Sequence, residues 1–259
     1  MDSEKRYSCE VSLEACINCD VLEDMEFSVA AAFEGGAATL ELCAAMDLDG
    51  LTPSEESIRR SRALFSRRGI MAMLRPRRGG FAYTPEELEE MALTIPSLAQ
   101  AGADGIVFGV LDPREERVHE GGLAFLTGVS RDYGLQTTFH RAFDALKNPV
   151  EALEILQASG VDRVLTSGIP WGGREPVLSR QEWLRQVVAH NRGRMQILVA
   201  GSISPENVTP LLEDLLPRGP VALVHAYSGI LEGGRTSASR VALLRERLED
   251  LRCFSREAF

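Results

Sequence analysis

The chain has 259 residues and a mass of 28.4 kDa, with 44% apolar and 25% charged residues, a net charge of −10 and a pI near 5.0. That length holds two small domains or one large α/β barrel, and the negative balance argues against nucleic acid or an anionic membrane as a general partner, since a phosphate surface would repel it. Met1 to Arg6 lacks the apolar run of a signal peptide and no window is apolar enough to span a bilayer, so a cytoplasmic location is expected. Five cysteines, Cys9, Cys16, Cys19, Cys43 and Cys253, are odd in number and bunched early, which fits reduced thiols better than a disulfide framework.

In chain order, strands are expected around 9–16, 39–43, 70–75, 105–110, 136–140, 163–166, 196–200 and 221–226. Most are short, nearly continuous apolar runs such as Ile70 to Leu74, the pattern of a parallel strand covered on both faces. Gly36, Gly69, Gly102, Gly134, Gly160, Gly193 and Gly219 each precede such a run, as glycines closing helices would. Thr52-Pro53-Ser54-Glu55, Thr84-Pro85-Glu86-Glu87, Asn148-Pro149-Val150-Glu151 and Ser204-Pro205-Glu206-Asn207 each combine a cap residue with proline and mark four helix starts. Leu88, Met91, Ile95 and Leu98 supply an apolar helical face between strands. Eight strands alternating with helices predict a single TIM-type (β/α)8 barrel over 1–259. An open doubly wound sheet is disfavoured because no G-x-G-x-x-G follows the first strand. Two longer loops, Ile169 to Ser179 with Trp171-Gly172-Gly173-Arg174, and Gly229 to Ser239, are expected to border the barrel mouth.

Residues at the C-terminal ends of barrel strands share one concavity. The strands would bring Glu14, Glu41 with Cys43, Arg75 and Arg77, then His140, Arg141 and Asp144, then Thr166 and Ser167, Ser202, and His225 to that mouth. Carboxylates, imidazoles and guanidiniums together could move protons on an anionic substrate. Glu41 and His140 are the candidate catalytic groups. Each has a plain alternative: His140 as a core histidine, Arg141 tied to Asp144 as scaffold, and Glu41 paired with Arg75 as a structural ion pair. The Gly201-Ser202 turn before a helix offers an anion site, as does Arg77-Arg78-Gly79-Gly80. Cys16 and Cys43, on adjacent strands, could approach one another; soft thiolates suit Cu(I), although such cysteines are more often small buried hydrophobes.

Glu41-Leu42-Cys43-Ala44-Ala45, Gly50-Leu51-Thr52-Pro53-Ser54, Leu74-Arg75-Pro76-Arg77, Thr138-Phe139-His140-Arg141-Ala142-Phe143-Asp144 and Arg163-Val164-Leu165-Thr166-Ser167-Gly168 resemble, in order, the CutC family of copper homeostasis proteins. The resemblance implies a TIM-type barrel, a homo-oligomer, and copper homeostasis through Cu(I) binding at Cys16 and Cys43. Where that family reads Arg-Pro-Arg-Gly-Gly-Asp-Phe, this chain has Arg75-Pro76-Arg77-Arg78-Gly79-Gly80-Phe81, one acid fewer and one cation more. The polar residues themselves point to a different occupant: a small phosphorylated or carboxylated metabolite, bound or turned over. Arg75 and the Gly201 turn would hold its anion, and Glu14, Arg77, Arg141, Asp144, Ser167, Ser202 and His225 would line the site.

Overall fold

Local sequence sets the helix ends. In the computed structural model, which describes residues 11–257 apart from 174, 176, 180 and 192, Thr84 accepts from the Glu87 amide while the Glu87 carboxylate returns to the Thr84 amide. That reciprocal cap, worth about 1 kcal/mol, starts α3 (Pro85–Ala101). Ser54 caps α2 (Glu55–Leu64) and Asn148 caps α5 (Pro149–Ala158), with Pro149 at the first helical position. The fourth expected start is displaced. Ser204 and Asn207 fold into a turn of their own, in which the Asn207 Oδ1 accepts from the Ser204 amide, and α7 begins only at Val208 (Val208–Leu215). Thr52 also does something other than cap a helix: its hydroxyl accepts from the Arg75 amide at 2.9 Å and clips the chain beyond the third strand.

The strands are β1 (Ser12–Asn18), β2 (Thr39–Cys43), β3 (Ile70–Met73), β4 (Gly105–Phe108), β5 (Gln136–Phe139), β6 (Arg163–Thr166), β7 (Gln196–Val199) and β8 (Leu223–Ala226). All pair in parallel, each with its sequence neighbours, and β8 pairs with β1 to close the barrel. The first strand runs later than expected, so Cys16 lies inside it; Cys9, Arg174 and the Cys253 side chain fall outside what the structure describes. The remaining helices are α1 (Leu22–Gly35), α4 (Glu120–Asp132), α6 (Gln181–Asn191) and α8 (Ala238–Glu257). Met91, Ile95 and Leu98 of α3 are buried in one continuous core with Leu153 and Leu156 of α5 and the outward residues of the strands. Each fully buried aliphatic chain contributes about 1.5–3 kcal/mol. Among the described residues, no helix is long and apolar enough to cross a membrane.

Inside the barrel the apolar filling is divided. Met71, Met73 and Val107 cluster with Cys16 and Cys43 on one side, and Leu165, Leu198 and Leu223 on the other. Glu14 and Arg163, each only 1% exposed, form an ion pair within the barrel. The loop after β6 reaches the mouth through Trp171. Of the loop after β8, Tyr227 reaches the mouth but the segment from Gly229 to Ser239 does not. It makes a hairpin, β9 (Leu231–Glu232) with β10 (Arg235–Thr236), that packs on α1 through a Thr236 amide bond to Ser28, because its apolar residues find α1 and α8 rather than the cavity.

Candidate functional site

Alternation along each strand decides what enters the barrel. Glu14 and Cys16 of β1, Glu41 and Cys43 of β2, and His225 of β8 meet inside it, with Glu14 opposite His225 and Cys16 opposite Glu41 in the register. His225 Nδ1 lies 3.1 Å from Glu14 Oε1 and its Nε2 lies 3.6 Å from Glu41 Oε2. Glu14 also accepts from Thr39 Oγ1 at 2.9 Å and from Arg163. One row of polar groups therefore runs from Arg163 through Glu14 and His225 to Glu41 and the two thiols.

Burial alone would neutralise Glu14 and His225, and their neighbours outweigh it. The Glu14 carboxyl is held down to about 2 by Arg163 and His225, and the His225 imidazole stays well above its usual range beside Glu41, Cys16 and Glu14. Glu41 moves the other way, up to about 8, through burial and the negative charges of Cys16 and Glu14. Cys16 is lowered to about 5 by its neighbours Cys43 and His225, whereas Cys43, whose thiol donates to Glu41 Oε2 at 3.5 Å, is raised by Cys16 and by burial. The cluster thus favours the charged forms of Glu14 and His225, the thiolate on Cys16 rather than Cys43, and the neutral form of Glu41. Cys19 takes no part: it packs in the outer core and burial pushes its thiol up to about 12.

Above this floor opens a cavity of about 270 Å³ walled by Arg75, Phe81, His140, Arg141, Trp171 and Tyr227. Gly109 makes room for His140, since a Cβ there would sit 2.5 Å from the imidazole ring. Gly50 lies against Cys43, where a Cβ would come within 3.3 Å of its Sγ. His140 Nδ1 accepts from the Ala142 amide at 3.1 Å, which places the proton of the neutral ring on Nε2. Burial and the charges of Arg75 and Arg141 push its protonation down to about 3, so the ring stays neutral. A larger hollow of about 660 Å³, at the opposite end of the barrel near Gln136 and Gln196, holds none of these groups.

The structure also shows which expected site residues serve as scaffold. The expected Glu41–Arg75 pair is not formed: Glu41 lies level with Met71, four residues or about 13 Å of strand rise before Arg75. Arg75 instead donates to the carbonyls of Leu48, Gly50 and Gly79. Arg77 turns away to Glu87 and the Ala82 carbonyl. Asp144 accepts from Arg141 Nε at 2.9 Å, from the Ser167 amide and hydroxyl at 3.0 and 2.9 Å, and from Thr166, clipping the turn after β5 to the end of β6. Ser167 is thereby consumed, while Arg141 both pairs with Asp144 and walls the cavity. Gly201 and Ser202 lie outside the cavity, and Asn207 Nδ2 already donates to the Ser202 carbonyl. Sequence reasoning gave no role to Arg163, Phe81 or Tyr227. The partner that explains Arg163 lies 149 residues away, so no local pattern marks it.

These features coincide with a known group of sequences: the sequence profile of the CutC family matches residues 11–228. The chain belongs to the CutC family. CutC family proteins of Vibrio parahaemolyticus and Vibrio vulnificus are 35% and 39% identical over 202 and 180 residues, covering 78% and 70% of this chain and 77% and 70% of theirs. A CutC structure from Streptococcus agalactiae, named for copper homeostasis, superposes with a TM-score of 0.72 at 24% identity, covering 83% of this chain and 98% of that one. A 3-keto-L-gulonate-6-phosphate decarboxylase from Vibrio cholerae shares the barrel at 13% identity and a TM-score of 0.62, covering 93% of this chain and 98% of the decarboxylase. Both structures speak to the fold alone.

Proposed function

We propose that the cavity floor binds Cu(I) between Cys16 and Cys43, as a part of the copper handling for which the CutC family is named. The observation that carries this reading is the grouping of Cys16 Sγ, Cys43 Sγ and a Glu41 oxygen within 4.8 Å of one another, all buried. A metal–thiolate bond of about 2.3 Å, the figure for zinc, lets one ion bridge sulfurs up to ~4.6 Å apart, and thiolates select Cu(I) over harder ions. The other possible group, Glu14, Glu41 and His225, shares Glu41, has no sulfur and is already committed to ion pairing.

Anaerobic titration with Cu(I) in competition with a coloured chelator tests the proposal. One ion per chain is expected, and Cys43→Ser and Cys16→Ser should each weaken binding by about 100-fold or more. Unchanged affinity in both variants would remove the reading.

A further inference from the structure

Copper at the floor leaves the upper wall of the cavity unexplained. Arg75 is 2% exposed, yet among the described residues no carboxylate lies within ion-pairing distance of it, and the hydrogen-bond partners of its guanidinium there are three backbone carbonyls. A buried guanidinium without a counter-ion is costly, so something of opposite charge is to be expected beside it. His140, 4% exposed, has an Nε2 with no hydrogen-bond partner, and the Ala142 amide on Nδ1 makes that nitrogen a donor. Both side chains face the same cavity, and Arg141 adds a second guanidinium to the same wall. Two carboxylates line the same cavity, Glu41 at its floor and the exposed Asp49, and neither forms an ion pair with Arg75; behind the wall, Asp144 is filled by Arg141, Thr166 and Ser167.

The flanking surfaces are aromatic. Phe81 packs on the His140 ring at 4.8 Å and on Trp171 at 4.8 Å, and the Arg75 guanidinium lies 5.4 Å from the Phe81 centroid. Two donor side chains and a positive field, bounded by flat apolar rings, suit a planar anion with an organic body. Phosphate is more often held by a cradle of backbone amides, and the Gly201 turn, the expected source of one, does not line this cavity. At about 270 Å³ the cavity falls below the 300–1,000 Å³ typical of pockets for larger ligands.

We infer that the upper cavity is a binding site for a small organic carboxylate, its anion lying beside Arg75 and His140 and its body lying against the aromatic wall that Phe81 and Trp171 form together. This site is separate from the copper reading and stands if that reading fails.

Metal-free full-length protein titrated with benzoate, benzamide and inorganic phosphate, followed by calorimetry and Trp171 fluorescence, tests the assignment. Benzoate should bind saturably with a Kd of about 1 mM or tighter, and neutral benzamide at least about tenfold more weakly. His140→Asn keeps an acceptor for the Ala142 amide while withdrawing the donor from the cavity, and should cost benzoate about tenfold. Arg75→Gln should abolish binding; because Arg75 also ties three loops, the His140 variant is the decisive one should Arg75→Gln fail to fold. Phosphate binding tighter than benzoate, equal binding of benzamide, unchanged benzoate affinity in His140→Asn, or no saturable binding of benzoate would each overturn the assignment.

Discussion

Replacing Arg163 by Met tests whether the row of charges within the barrel is a working part of the fold. Arg163 and Glu14 are each 1% exposed, and no water-facing route relieves either charge. With the guanidinium gone, Glu14 keeps only the Thr39 hydroxyl and His225. Two opposite charges 4 Å apart at an effective dielectric of 20 attract by about 4 kcal/mol, and breaking a buried pair from one side typically costs ~3–5 kcal/mol. For a chain of this size each kcal/mol moves Tm by about 2–4 °C, so a fall of roughly 6–20 °C is expected. Urea unfolding followed by circular dichroism should show a lower midpoint with an unchanged slope. Adding Glu14→Gln to Arg163→Met should restore a large part of the loss, since Gln still accepts from Thr39 and no longer leaves a buried charge. An Arg163→Met variant within about 1 kcal/mol of the parent, or a double variant as unstable as the two single losses summed, would refute the argument.

Acid should weaken the protein through His140. Its protonation is held down to about 3 in the fold against 6.5 for the free group, so the unfolded chain binds the proton first and stability falls as pH drops from about 6.5 towards 3. The contribution lost by pH 5 is about 2 kcal/mol. His225 acts in the opposite sense, because its raised protonation adds stability below its unfolded value. The measurement is therefore the difference between the parent and His140→Asn in urea midpoints at pH 7 and pH 5; if the two respond alike, the account of His140 is incorrect. Asp144→Ala should destabilise by roughly 2–4 kcal/mol, because it strips the acceptor from Arg141, Thr166 and Ser167 together. It should also shift tryptophan fluorescence, since Arg141, which loses its partner, lies 5.4 Å from the Trp171 ring centroid; a stable variant with native fluorescence would show that the clip is dispensable.

The sequence by itself determined the barrel. Capping residues such as Thr84 with Glu87, and Asn148 with Pro149, act within one helical turn, and the strand runs are apolar enough to be buried on both faces, so both are visible in a short window. It also brought Cys16 and Cys43 onto neighbouring strands and His140 to a strand end, because chain order and strand order coincide here. It could not decide which polar groups meet, since that depends on height along the barrel and on partners far away in sequence. Glu41 and Arg75 are adjacent by strand order but separated in height, whereas Glu14 found Arg163 across the barrel. Likewise Asp144 and Ser167 proved to be a clip, and Arg77 an outward tie to Glu87. Only the closed barrel, by fixing register and facing, turned a set of polar strand ends into a buried charge row with a thiol floor and a cationic, aromatic wall above it.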